Sequence, residues 1–269
     1  MAHKTPLSRR DFVQKAGILL AGGTALGGNQ AQAISLQNPG RDAKEARYIG
    51  QEGKRFGMVI DLRLCVGCQA CTSACKSENK VPKDKFRTYV PEYELGSYPS
   101  VRKAFLPQLC NHCEAPSCVS VCPTGATFKR TDGVVVVDNT ICWGCGYCLN
   151  ACPYDKRYFN PLTKVADKCT LCAHRVDAGL LPACVESCVG GARIFGDLND
   201  PHSAVSKLLQ NAPASVLNPA QGTKPRVFYI GLSHEIQSIP VSQAVLDDWA
   251  KKLDGLAPSE WASTYEGGK

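Results

Sequence analysis

Apolar positions along this chain come in short bursts rather than long runs. Met58-Val59-Ile60, Ala126-Thr127-Phe128 and Val134 to Val137 each read as a short strand. Thr131-Asp132-Gly133 separates the second burst from the third, and Asp-Gly between two apolar runs predicts a β-hairpin. Val245, Leu246, Trp249 and Leu253 recur at helical spacing, predicting a helix over 241–253 that either closes the protein's own core or docks a partner. Residues 34–55 are polar, with Pro39 and Gly40, and read as a linker. Glu92 to Arg102 reads as a loop insertion that could face a partner. No apolar run approaches the roughly 18 residues of a membrane helix. Membrane attachment is therefore expected only through a partner.

The N-terminus has a different pattern. Ser8-Arg9-Arg10-Asp11-Phe12 precedes a mildly apolar, glycine-rich run from Ala16 to Gly28, and Ala31-Gln32-Ala33 follows as a small-residue cleavage pattern. Together they predict a signal peptide over residues 1–33, with the paired arginines of the twin-arginine export route. Val13 and Gln14 depart from the Leu and Lys usual there. That route suits a protein that acquires its cofactor in the cytoplasm and works on the periplasmic side of the membrane.

Composition changes the picture in one respect. Hydrophobic residues at 44% and charged residues at 20% are ordinary for a globular protein, but cysteine stands at 16 of 269. The formal charge of +7 is no nucleic-acid signal: without residues 1–33 the chain keeps 27 basic against 23 acidic residues and no dense basic block.

The cysteines fall into four sets. Cys65, Cys68, Cys71 and Cys75 are spaced C-x2-C-x2-C-x3-C, and Cys142, Cys145, Cys148 and Cys152 repeat that spacing. Cys110, Cys113, Cys118 and Cys122 follow C-x2-C-x4-C-x3-C; Cys169, Cys172, Cys184 and Cys188 follow C-x2-C-x11-C-x3-C. The first spacing is the bacterial ferredoxin run for [4Fe–4S] clusters. Three thiolates two residues apart can wrap one face of a cubane, and Gly67 and Gly144 permit the tight turns this needs. Disulfides between such close neighbours would make tiny, strained loops. Three cysteines so close in sequence would crowd a tetrahedral zinc site.

An internal repeat organises the sets. Residues 58–75 match residues 135–152, with Asp61 aligned to Asp138 and Gly67 to Gly144. Cys118-Val119 aligns with Cys184-Val185, and Gly125-Ala126 with Gly191-Ala192. The chain thus reads as α+β, with duplicated two-cluster ferredoxin-like modules, short β-hairpins and loop-rich cluster binding. The hairpin joins the Cys110 and Cys142 sets in a nested module 2 over 110–165. The Cys65 and Cys169 sets must then share module 1, split between 56–109 and 166–200, with Val59-Ile60 pairing near Arg193-Ile194-Phe195. Residues 201–269 form a C-terminal extension.

In two-cluster ferredoxins the fourth cysteine of each run ligates the other cluster. Four all-cysteine [4Fe–4S] clusters follow. One takes Cys110, Cys113, Cys118 and Cys152, and its partner Cys142, Cys145, Cys148 and Cys122. A third takes Cys65, Cys68, Cys71 and Cys188, and the fourth Cys169, Cys172, Cys184 and Cys75.

At these motifs the chain resembles the four-cluster iron–sulfur subunits of the molybdopterin, dimethylsulfoxide reductase-like oxidoreductases. The resemblance rests on Cys-Pro-Thr-Gly-Ala at 122–126, Cys-Pro-Tyr-Asp at 152–155, Ala-Asp-Lys-Cys-Thr at 166–170 and Ala-Gly-Leu-Leu-Pro-Ala-Cys-Val-Glu at 178–186. Ser-Cys-Val-Gly-Gly-Ala-Arg-Ile at 187–194, Asp200-Pro201-His202-Ser203 and Val227 to Leu232 are similar to its tetrathionate-reducing group; Val189-Gly190 stands where most relatives carry Pro-Thr. The resemblance implies a non-catalytic wire for anaerobic respiration. Electrons would pass from a multi-span quinol-oxidising membrane subunit through four clusters to a molybdopterin catalytic subunit that reduces tetrathionate to thiosulfate. Thiosulfate, polysulfide, nitrite and sulfite-linked subunits share the framework and remain alternatives. The sequence has no dinucleotide fingerprint, P-loop or nucleophile elbow to suggest catalysis of its own.

Other residues near the cysteines carry more than one reading. His112 and His174 tune a cluster by hydrogen bonding or charge, ligate iron as in Rieske centres, or are ordinary solvated or packing histidines, with ligation disfavoured because every cluster already has four cysteines. Lys76, Lys156, Arg157, Lys168 and Arg175 either offset cluster charge or are solvated. Trp143 is expected to pack rather than relay electrons.

Overall fold

The computed structural model describes residues 49–237. The predicted signal peptide, most of the linker and the predicted 241–253 helix lie outside the described residues. No helix among the described residues is long and apolar enough to cross a membrane.

In chain order the first half holds β1 (Phe56–Asp61), α1 (Ala70–Asn79), β2 (Thr88–Tyr89), β3 (Glu92–Leu95), β4 (Arg102–Phe105), β5 (Gln108–Leu109), α2 (Ser117–Ser120), β6 (Thr127–Lys129) and β7 (Val135–Val137). Then come α3 (Tyr147–Asn150), β8 (Tyr158–Phe159), β9 (Ala166–Asp167), α4 (Ala173–Asp177), α5 (Ala183–Glu186), β10 (Arg193–Asp197), α6 (Ala204–Asn211), β11 (Ala214–Ser215), β12 (Val227–Ile230) and α7 (His234–Gln237). This is an α+β fold of short elements, many of them joined by cysteine-bearing loops.

One four-stranded sheet, ordered β10-β1-β12-β11, spans the chain. β1 runs antiparallel to β10, with Val59 opposite Ile194, and parallel to β12. All six residues of β1 are buried, as a central strand requires. Its alternation splits two cores: Met58 and Ile60 face the large core that holds Cys71, Cys110, Cys169 and Cys184, whereas Val59 packs with Val205 and Ile230 under α6. The N-cap of α6 is Ser203, whose hydroxyl accepts from Ser206 N at 3.1 Å.

The predicted hairpin is β6–β7, with Phe128 opposite Val136. Asp132 closes its turn by accepting from Val134 N at 3.1 Å. Gly133 takes φ +83°, and a Cβ there would collide with the Arg226 guanidinium.

The structure differs from the sequence reading in three places. The 92–102 insertion is itself a hairpin, β3 with β4, because alternating residues pair across it. Residues 201–237 join the fold: β12 enters the central sheet between β1 and β11 and places buried Val227, Tyr229 and Ile230 there. Trp143 does not pack in this chain. It is 80% exposed, in a cysteine loop between Cys142 and Gly144.

Candidate metal centres

The repeat seen in the sequence is also a repeat of backbone geometry. Gly67 and Gly144, the paired loop glycines, have φ +71° and +69°. Gln69 and Gly146, which precede α1 and α3, are both left-handed. His112 and Leu171, each between two cysteines of a Cys-x2-Cys pair, have φ +44° and +52°. Each left-handed residue reverses the chain and turns successive amides inward, a geometry that can cradle an anion.

All sixteen cysteines are free thiols. The loops bring them together across the chain rather than in sequence order. Cys65, Cys68 and Cys71 share one cavity with Cys188, alongside Gln69 and Arg193. Burial pushes the Cys75 thiol well up, and the thiols of Cys169, Cys184 and Cys172, within electrostatic reach, push it further. Asn79 joins the same group, its Nδ2 lying 3.6 Å from both Cys75 Sγ and Cys172 Sγ. Burial pushes Cys113 up to about 12, with Cys110, Cys152 and Cys118 as further neighbours. Cys118 and Cys148 pack together where α2 meets α3. Cys122 is buried enough to raise its thiol, yet the Thr127 amide at 3.3 Å and Thr124 hold it below the ordinary value.

The surroundings are those of a buried anionic group. Orphaned buried polar atoms sit beside the cysteines: Arg193 Nη1, Thr170 Oγ1, Ser187 Oγ and His112 Nε2 have no hydrogen-bond partner. Among the described residues no three Cys, His, Asp or Glu side chains close on a single ion. An all-thiolate donor set suits iron–sulfur.

The neighbouring cations divide. Lys76 is spent on the carbonyls of Pro82, Lys83 and Lys85, and Arg175 on Glu78 and Glu186. Lys156, Arg157 and Lys168 are buried, which removes the solvated reading for them. Arg157 donates to Cys118 Sγ at 2.9 Å. His112 is wholly buried, with Nδ1 accepting from Val135 N at 3.0 Å, and His174 bonds Glu78 at 2.6 Å.

Sequence reasoning missed Asn79 and Arg193. Asn79 carried a signal, since it lies one helical turn after Cys75 and so on its face of α1.

Residues 101–198 match the model of the 4Fe-4S dicluster domain family. Over 229 residues the chain is 51% identical to the B subunit of tetrathionate reductase from Salmonella typhimurium, covering 84% of this chain and 88% of that one. It is 40% identical over 226 residues to protein NrfC of Escherichia coli, covering 83% and 95%. It is 39% identical over 230 residues to the B subunit of selenate reductase from Mesobacillus selenatarsenatis, covering 73% and 78%. With its cysteine framework and its [4Fe–4S] binding domain, the chain belongs to the iron–sulfur electron-transfer subunits of the dimethylsulfoxide reductase family, alongside the B subunit of tetrathionate reductase.

Proposed function

We propose that this chain holds four [4Fe–4S] clusters in a row and conducts electrons between a membrane quinol-oxidising subunit and a molybdopterin catalytic subunit that reduces tetrathionate to thiosulfate. The single observation that carries the four-cluster reading is the meeting of cysteines distant in sequence, above all Cys75 with Cys169, Cys172 and Cys184. The ligand sets are the four cross-paired quartets given by the repeat. When bound, each cluster supplies a one-electron couple.

The chain's own residues hold, insulate and connect. Cys71, Cys110, Cys169 and Cys184 sit in the main core with Met58, Ile60, Leu106 and Tyr229, which exclude water. Cys110 neighbours Cys169, so the inner quartets of the two modules adjoin, and Cys71 neighbours Cys184 between the two quartets of module 1. Only Cys68 and Cys145 are exposed cysteines. Exposed Leu64, Val66 and Val189 lie near the first, and Trp143 and Tyr147 near the second. These apolar rims suit partner subunits at the two ends of the row. The chain itself performs no catalysis in this reading.

Tetrathionate is favoured over nitrite or selenate by the 51% identity to the tetrathionate reductase relative and by Val189-Gly190. Export by the twin-arginine route to the periplasmic side rests on Arg9, Arg10 and Ala31-Gln32-Ala33.

Anaerobic solubilisation of membranes, capture of this chain and identification of its companions tests the reading. A molybdopterin subunit with a multi-span protein, and tetrathionate-dependent oxidation of reduced dye, is the expected result. Companions without a molybdopterin subunit would overturn it.

A further inference from the structure

Arg157, Lys168 and Arg193 are 2%, 1% and 3% exposed. None of them forms an ion pair with a carboxylate among the described residues. Other arginines do: half-buried Arg87 meets Asp167 at 2.8 Å, buried Arg130 meets Asp132 at 2.8 Å, and buried Arg226 meets Glu114. Burying an unpaired cation is costly, so a counter-charge is required.

Their positions say where that counter-charge lies. Arg157 donates Nη2 to Cys118 Sγ and Nη1 to Thr127 Oγ1, at 2.9 and 3.2 Å. It also lies within electrostatic reach of Cys148, on the next helix. It therefore stands between the Cys110 and Cys142 quartets. Lys168 donates Nζ to the carbonyls of Val135 and Cys169 and lies within electrostatic reach of Cys110, Cys169 and Cys118. It stands between the Cys110 and Cys169 quartets, close enough to Arg157 for the two to repel. Arg193 donates Nη2 to Thr88 Oγ1 at 2.8 Å and leaves Nη1 buried without a partner. It lines the cavity of Cys65, Cys68, Cys71 and Cys188 and lies within electrostatic reach of Cys184 and Cys71. It stands between the Cys169 and Cys65 quartets.

We propose that Arg157, Lys168 and Arg193 are spacer cations, one in each of the three gaps of the cluster row, each balancing the two clusters it separates and raising both their reduction potentials. The inference rests on the four-cluster reading above. Neighbouring all-cysteine clusters are both negative, and in a low-dielectric core their repulsion disfavours adding an electron to either. A fixed positive charge between them offsets that repulsion at two sites at once. These are positioning residues, acting through their charge and not as ligands.

The test is anaerobic redox titration of the full, cluster-loaded chain in its complex, followed by electron paramagnetic resonance. Single cysteine-to-serine variants, one per quartet, assign the transitions. Arg157→Gln is expected to lower the midpoints of the Cys110 and Cys142 quartets and leave the Cys65 quartet in place. Arg193→Gln is expected to lower those of the Cys169 and Cys65 quartets and leave the Cys142 quartet in place. Arg157→Lys and Arg193→Lys, which keep the charge, should stay close to the native midpoints. Clusters lost from a Gln variant but kept by its Lys counterpart would report the same need for charge. Unshifted midpoints, equal shifts in all four clusters, or loss of clusters from both Gln and Lys variants would overturn the inference. A native chain with far fewer than about sixteen iron atoms and without four transitions would instead overturn the four-cluster reading.

Discussion

Val59 faces Ile194 across the antiparallel pair of β1 and β10, although 135 positions separate them in the chain. That register brings the two distant segments carrying the Cys65 and Cys169 sets to one place. Val59 itself is wholly buried and points away from the cysteines, against Val205 and Ile230. Val59→Ala should therefore cost about 2 kcal/mol by cavity formation while leaving the cluster sites intact. The expected outcome is a lower thermal midpoint at unchanged iron content. Loss of iron together with the midpoint would mean that the outer face of β1 also supports the cysteine loops.

Cross-pairing of the quartets has a direct chemical signature. Cys75 follows Cys71 on α1, yet its sulfur shares the Asn79 amide with Cys172. Cys75→Ala and Cys172→Ala should therefore damage the same cluster, each lowering iron from about sixteen to about twelve per chain. The double variant should lose no more than either single one. If Cys75→Ala instead matches Cys68→Ala in its spectrum and adds to Cys172→Ala, the cysteines pair in sequence order.

The repeat and the β6–β7 hairpin were legible because they are local. Cysteine spacing and Asp132-Gly133 carry their geometry within a few residues. The pairing of Val59 with Ile194 was also legible, since the repeat left those segments no other partner. The place of β12 was not: its insertion beside β1 depends on tertiary packing that Val227 to Ile230 do not advertise. Arg193 and Asn79 went unread for a related reason. Arg193 sits in an ordinary strand pattern, and only the folded chain reveals that its guanidinium is buried without a carboxylate. Trp143 misled because a large aromatic is usually buried, whereas here its loop ends at the surface.

Gly190 marks a close approach between two cluster loops. A Cβ at this position would strike the carbonyl oxygen of Leu64, a backbone atom that cannot swing aside. Gly190→Thr should therefore push the Cys188 loop away from the Cys65 loop. Overpacking of this kind costs about 1–3 kcal/mol. Faster loss of one cluster in air, with the other three unaffected, is the expected reading by iron release. Equal stability to the native chain would show that Leu64 yields.

Export can be separated from cluster assembly. Replacing both Arg9 and Arg10 by Lys keeps the charge but removes the paired guanidinium groups of the motif. The variant should accumulate in the cytoplasm with residues 1–33 uncleaved and its iron complement complete. Fractionation and mass of the N-terminus check this. Normal periplasmic delivery of the variant would rule out the twin-arginine route.

Asn79 offers a test of tuning by hydrogen bonding rather than by charge. Its side-chain oxygen accepts from Arg87 Nη1 at 2.9 Å, and Arg87 is held in turn by Asp167 at 2.8 Å. That fixes the amide with its nitrogen towards the sulfurs of Cys75 and Cys172. Donation to a ligand sulfur favours the more negative, reduced state of a cluster. Asn79→Ala should lower the midpoint of that one cluster by about 40 mV, the one-electron equivalent of roughly 1 kcal/mol of hydrogen bonding. Asn79→Ser, able to donate but too short to reach both sulfurs, should fall no closer than midway to the native value. A shift spread over several clusters would assign the effect to loosened packing of α1, because a hydrogen bond to two sulfurs of one quartet acts on that quartet first.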